Sequence, residues 1–156
     1  MTELTKGSAA PEFKSPNQDG VNVTLSSFQG KKNVVLYFYP KDDTPGCTIE
    51  AKQFTALVAD FSTTDSVVIG VSKDNCDSHQ AFIDKFGLKI DLLADTSGEV
   101  CATYGVWQEK QKNDVKKMGI VRSTFVINKE GILVEALYGV TAEGHAQEML
   151  NIVKSL

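Results

Sequence analysis

Cysteine is scarce in this chain, with three in 156 residues, at Cys47, Cys76 and Cys101. An odd, sparse set does not make a secreted disulfide framework, so a reducing cytoplasm is the expected compartment. No apolar run is long enough to span a bilayer, and the opening MTELTKGSAAPEF lacks the hydrophobic centre of a secretory signal. Positive charge is not in excess either. The net charge is −4, with no basic block beyond lysine pairs, which argues against a nucleic-acid surface. The two histidines, His79 and His145, stand far apart, and no two cysteines are spaced as ligands, so no metal centre is expected. His79, in DSHQ, reads as a helix-surface or packing residue. There is no internal repeat and no low-complexity segment.

What is present suits one globular domain over residues 1–156. Apolar residues make up 42% and charged residues 23%, and a chain of this length buries roughly two thirds of its unfolded surface. DGVNVTL reads as a short strand. NVVLYFY (Asn33 to Tyr39) is a near-continuous apolar run, as expected of a central strand covered on both faces. From Thr44 the pattern turns helical, with Thr44 as N-cap, Pro45 at the first helical position, and Ile49, Phe54, Leu57, Val58 and Phe61 on one helix. SVVIGVS is a second strand, followed by a helix carrying Phe82, Ile83 and Phe86 and stopped at Gly87. KIDLLAD is a third strand, and SGEVCATYGV a short helical turn. The polar stretch Gln108 to Lys117 reads as an exposed loop. STFVIN and GILVEALY flank a turn as a hairpin, and the last helix, with Thr141 as its N-cap, carries Ala146, Met149, Leu150 and Val153 on one stripe.

That order predicts an α/β, thioredoxin-like fold, a central mixed β-sheet flanked by helices. The loops after parallel strands then share one edge, where sites form. The loop after LYFY holds Cys47, the loop after VVIGVS holds Cys76, and the antiparallel return brings Arg122 to the same edge. Cys47 falls in the first turn of a helix, where unpaired backbone N–H groups and the positive end of the dipole favour a thiolate. Asp42 and Asp43 oppose this and are expected to face solvent or to be offset by a cation. Arg122 is the cation that the topology supplies.

Pro40, Thr44 and Cys47 match the Pro-x-x-x-Thr-x-x-Cys signature, and YFYPKDDTPGCTIEA resembles the Q-type peroxiredoxins, also called bacterioferritin comigratory proteins. GVSKDNCDSH, YGVWQEK and GIVRSTFVIN are similar to segments of that subfamily, so the resemblance covers essentially the whole chain. It implies a peroxidase that reduces hydrogen peroxide and organic hydroperoxides with no metal or organic cofactor. By this resemblance Cys47 attacks the O–O bond, Thr44 hydrogen-bonds the peroxide, Pro40 shields the sulfur from water, and Arg122 positions thiolate and substrate. Glu50 matches an acidic position that orients an arginine; a solvated helix residue is the alternative. Trp107 reads as a packing residue rather than a pocket wall. The implied reductant is thioredoxin, or glutaredoxin with glutathione, and the implied state a monomer or weak dimer.

Many Q-type members carry a second cysteine five residues after the first, where this chain has Lys52. Cys76 is then either the resolving thiol or a helix-start residue with no redox part. Cys101, beside Val100 and Tyr104, reads as a buried structural thiol. If neither resolves, an external thiol attacks the oxidised Cys47 directly. A peroxide sensor or redox-regulated chaperone using the same cysteine is the second functional reading. A disulfide oxidoreductase is disfavoured, because position 50 is Glu and no Cys-x-x-Cys is formed.

Overall fold

A computed structural model describes residues 3–156. The chain begins with a small antiparallel pair, β1 (Lys14–Pro16) and β2 (Asn22–Thr24), then a 3-10 turn over Leu25–Phe28. The main elements follow: β3 (Asn33–Phe38), α1 (Pro45–Ala56), α2 (Val58–Thr63), β4 (Ser66–Ser72), α3 (Cys76–Phe86), β5 (Asp91–Ala94) and α4 (Glu99–Thr103). A hairpin of β6 (Trp107–Lys112) and β7 (Val115–Ile120) precedes β8 (Ser123–Ile127), β9 (Leu133–Tyr138) and α5 (His145–Lys154). Five strands form the central sheet in the order β5-β4-β3-β8-β9, parallel across β5, β4 and β3 and antiparallel across β8 and β9. This is the expected mixed sheet of the thioredoxin-like fold.

All six residues of β3 are buried because both faces are covered. Val35 and Tyr37, with Tyr39 beyond the strand, point into one core with Phe54, Phe61, Phe82 and Met149 from α1, α2, α3 and α5. Val34, Leu36 and Phe38 point into the other, with Phe13, Val100 and Tyr104. Alternation along one strand thus divides the interior into two cores.

Three local expectations are corrected. Gln108 to Lys117 lies within a β-hairpin, not a loop. Asn113 and Asp114 take φ of 51° and 62°, the left-handed pair that a two-residue turn matching strand twist requires. Polar residues on the strands hid the period. The long helix breaks at Leu57, and its buried stripe is Cys47, Glu50, Ala51 and Phe54 at spacings of three and four, which leaves Ile49 on the outer face, 41% exposed. The last helix is capped by Gly144 at φ 81°, not by Thr141, because the left-handed turn at Gly144 sends the chain into α5 three residues later. The C-cap of α3 is Gly87 in the left-handed conformation, as expected.

Candidate active site

β3 ends at Phe38, and the chain then crosses the carboxyl edge of the sheet through PKDDTPG before entering α1. Pro45 occupies the first helical position, as its fixed φ and missing N–H allow. Thr44 stands at the N-cap by backbone position, with φ −107° and ψ 155°, but its hydroxyl does not cap the helix. Instead it donates to the Lys41 carbonyl at 2.8 Å. That use of the proton leaves the oxygen lone pairs free to accept.

Cys47 lies in the first turn of α1 and is 2% exposed. Arg122, just ahead of β8, donates from Nη2 to Cys47 Sγ at 3.4 Å and from Nη1 to Glu50 Oε1 at 2.6 Å. One planar guanidinium therefore bridges the sulfur and a carboxyl one helical turn later. Gly46 makes the approach possible, since a Cβ there would lie 3.1 Å from Arg122 Nη2. Glu50 is fully buried, so its solvated-helix alternative does not hold. Burial pushes its carboxyl up to about 7, against the pull of Arg122. Glu50 Oε2 has no hydrogen-bond partner among the described residues. Burial also works against the Arg122 charge, but Glu50 and the Cys47 sulfur outweigh it and raise its pKa.

The two acids of PKDD do not share a fate. Asp43 is exposed, with φ 57°, and its carboxylate meets Lys85 at 2.8 Å. Asp42 is buried, so of the two expected alternatives it does not face solvent. It accepts from the Tyr39 hydroxyl at 2.6 Å and the Ser78 hydroxyl at 2.8 Å, and it faces His79 Nδ1 at 2.7 Å. Burial opposes its charge, yet these partners hold the carboxyl below its usual range. His79 is also fully buried, so the helix-surface reading fails. Its Nε2–H donates to the Leu93 carbonyl at 2.8 Å. Asp74 completes the cluster, accepting from the Asp42 backbone N–H at 2.9 Å and the Ser72 hydroxyl at 2.7 Å. Asp42, Asp74 and His79 gather within reach of a common ion, but each is already engaged by the protein. The pairing of residues 42 and 79 could not be read from spacing.

The remaining expected residues are placed as follows. Pro40 is exposed at the end of β3. Cys76 opens α3 and is half-buried, its thiol donating to the Asn17 carbonyl at 3.3 Å in the turn between β1 and β2. All three cysteines are free. Cys101 is fully buried, and burial together with Asp95 raises its thiol pKa far above the usual range. Trp107 is partly buried and carries Lys73 Nζ over its ring at 4.2 Å. The structure thus brings Cys47, Arg122 and Glu50 into contact, sets Thr44 and Pro40 on the same loop, and turns Cys76 toward Asn17.

The chain as a whole is matched in known proteins. Residues 6–136 fit the model of the AhpC/TSA family. The chain belongs to that family, as a peroxiredoxin of the Q type. It is 47% identical over 150 residues to a putative peroxiredoxin bcp of Helicobacter pylori strain J99, covering 96% of this chain and 98% of that one. It is 40% identical to peroxiredoxin Bcp of Bacillus subtilis strain 168, covering 96% and 95%. Among solved structures, a cysteine-to-serine mutant of Xylella fastidiosa PrxQ superposes with a TM-score of 0.93 at 34% identity, covering 99% and 98%. Xanthomonas campestris peroxiredoxin Q gives 0.87 at 36%, covering 92% and 90%. As a peroxiredoxin the chain is a thiol-dependent peroxidase, an oxidoreductase whose chemistry resides in a cysteine.

Proposed function

We propose that Cys47 is the peroxidatic cysteine and that hydrogen peroxide and organic hydroperoxides are its substrates. The observation that carries this is the Arg122 guanidinium on Cys47 Sγ at 3.4 Å, in the first turn of α1. A structure of the Xanthomonas campestris bacterioferritin comigratory protein concerns alkyl peroxide reduction, which supports the organic class. The Cys47 thiolate attacks the distal oxygen of R–O–OH. An S–O bond forms, the O–O bond breaks, and the products are Cys47–SOH and RO⁻, which takes a proton to leave as ROH. Arg122 stabilises the charge developing on the leaving oxygen. Glu50, bonded to its other nitrogen, fixes the guanidinium. Thr44 Oγ1, its own proton committed to Lys41, accepts the hydroperoxide O–H and aligns the oxygen with the sulfur. Pro40 shields the Cys47 sulfur from water and fixes the loop.

Regeneration proceeds by thiol attack on the sulfenic acid: Cys47–SOH and a thiol give a disulfide and water. We assign Cys76 as the resolving thiol, with thioredoxin, or glutaredoxin with glutathione, reducing the Cys47–Cys76 disulfide. Cys76 is the better candidate of the two further thiols because Cys101 is sealed in the core. Three free thiols fit a reducing cytoplasm, and the reading includes a monomer or weak dimer. Among the described residues no helix is long and apolar enough to cross a membrane.

Cys47→Ser should abolish peroxide consumption, and retained turnover would remove Cys47 from the mechanism. Peptide mapping after one equivalent of peroxide should find Cys47 joined to Cys76. A persistent sulfenic acid with Cys76 free would instead make this a one-cysteine enzyme reduced directly by an external thiol.

A further inference from the structure

Cys47, the residue proposed to react with peroxide, is 2% exposed. A sulfenic acid formed there can meet a resolving thiol, internal or external, only after the loop from Pro40 and the first turn of α1 move outward. Cys76 sits on the first residue of α3 with its thiol bonded elsewhere, so it gains nothing unless that loop opens. Whatever holds the loop closed therefore sets how long Cys47 stays oxidised and beyond the reach of thiols.

Asp42 ties the loop to the elements around it. Its carboxylate is 4% exposed and is bound from β3's end by Tyr39 and from α3 by Ser78 and His79, while its backbone N–H is bound by Asp74 after β4. His79 is in turn fixed at its far nitrogen by the Leu93 carbonyl of β5. Asp43 adds only the exposed pair with Lys85, both side chains near half exposed, where such contacts hold little. Drawing Asp42 out of this pocket leaves the His79 ring buried without its partner, and that penalty is what the closed state avoids.

We propose that the Asp42–His79 pair is a latch that positions the Cys47 loop, fixing the balance between a closed, peroxide-reactive state and an open, thiol-accessible one. The proposal rests on Cys47 being the peroxidatic residue. Where the closed state dominates, weakening the latch multiplies the small open population while barely reducing the closed one. Resolution then quickens and reaction with peroxide hardly changes. A second consequence follows from competition. In the closed state Cys47–SOH can react with another ROOH to give Cys47–SO₂H and ROH, so a looser latch lowers the sulfinic fraction.

The test compares the wild type with Asp42→Asn, His79→Leu and the double variant, in rapid-quench mass spectrometry with hydrogen peroxide and excess 2-mercaptoethanol. Each species is read by mass: sulfenic acid, internal or mixed disulfide, and sulfinic acid. Loss of sulfenic acid to disulfide should accelerate about tenfold, the equivalent of 1.4 kcal/mol, in each single variant. Its formation should stay within about twofold of wild type, and the sulfinic fraction should fall. The double variant should add little to either single change, because both remove one interaction. Slower or unchanged disulfide formation in variants that still react with peroxide would overturn the latch. If the buried substitutions fail to fold, Ser78→Ala removes one 2.8 Å bond to Asp42 and should accelerate the same step about two- to threefold. An unchanged rate there also overturns it. If the wild type forms no sulfenic acid at Cys47, the peroxidatic assignment fails instead, a distinct outcome.

Discussion

Glu50 is the residue whose burial most constrains the chemistry. Its carboxyl ionises near 4.5 when unfolded and is pushed up to about 7 by burial. Between those values the native state binds more protons, so this group's contribution to stability is complete below pH 4.5 and is lost as pH rises through 7. The span corresponds to roughly 3 kcal/mol. Urea unfolding of wild type and Glu50→Gln at pH 4 to 8 should therefore show the wild type losing stability relative to the variant as pH rises; parallel curves would contradict the burial argument. Thr44 gives a second test. Thr44→Val removes the accepting oxygen while keeping the shape, and peroxide reduction should slow about 10- to 100-fold, whereas Thr44→Ser should retain most activity. Equal losses in the two variants would deny the hydroxyl its part. Cys47 and Thr44 were readable from a few neighbouring residues, because helix-start chemistry is local. Asp42 was not, because its partner lies 37 residues on, and nothing near either residue marks the other.

Among the elements, α1 carries Cys47 in its first turn and anchors itself through the turns that follow. Cys47, Glu50, Ala51 and Phe54 form its buried stripe, and Phe54 stacks on Tyr37 of β3 with ring centroids 4.7 Å apart. The β6–β7 hairpin is a separate case. Its turn places Asn113 and Asp114 at positive φ, a conformation that costs a non-glycine residue about 1 kcal/mol or more. Asp114→Gly should relieve that strain, and hydrogen exchange across β6 and β7 should slow a few-fold; faster exchange would contradict the turn assignment. The central strands and their helices were visible in the sequence because burial on both faces leaves continuous apolar runs. This hairpin was hidden because its residues are mostly exposed and its lysines mask any alternation.

The molecule as a whole couples its sheet centre to the site through close packing. Gly70 of β4 pairs with Tyr37, and a Cβ at Gly70 would come within 2.8 Å of Leu92 Cδ2 and Tyr37 Cζ. Gly70→Ala should cost about 1–3 kcal/mol in chemical denaturation, as overpacking does, and because Tyr37 bears on Phe54 it should also slow peroxide reduction. A variant of unchanged stability would show that the sheet yields there. Periodicity along the chain gave the central strands, the main helices and their order, and a short motif singled out Cys47, because each depends on neighbours within a turn or two. The tertiary structure decided which acid is buried, where Cys76 points and what restrains the Cys47 loop. Those depend on which distant side chains share a low-dielectric pocket, and only the closed sheet edge brings Asp42, Asp74 and His79 into one.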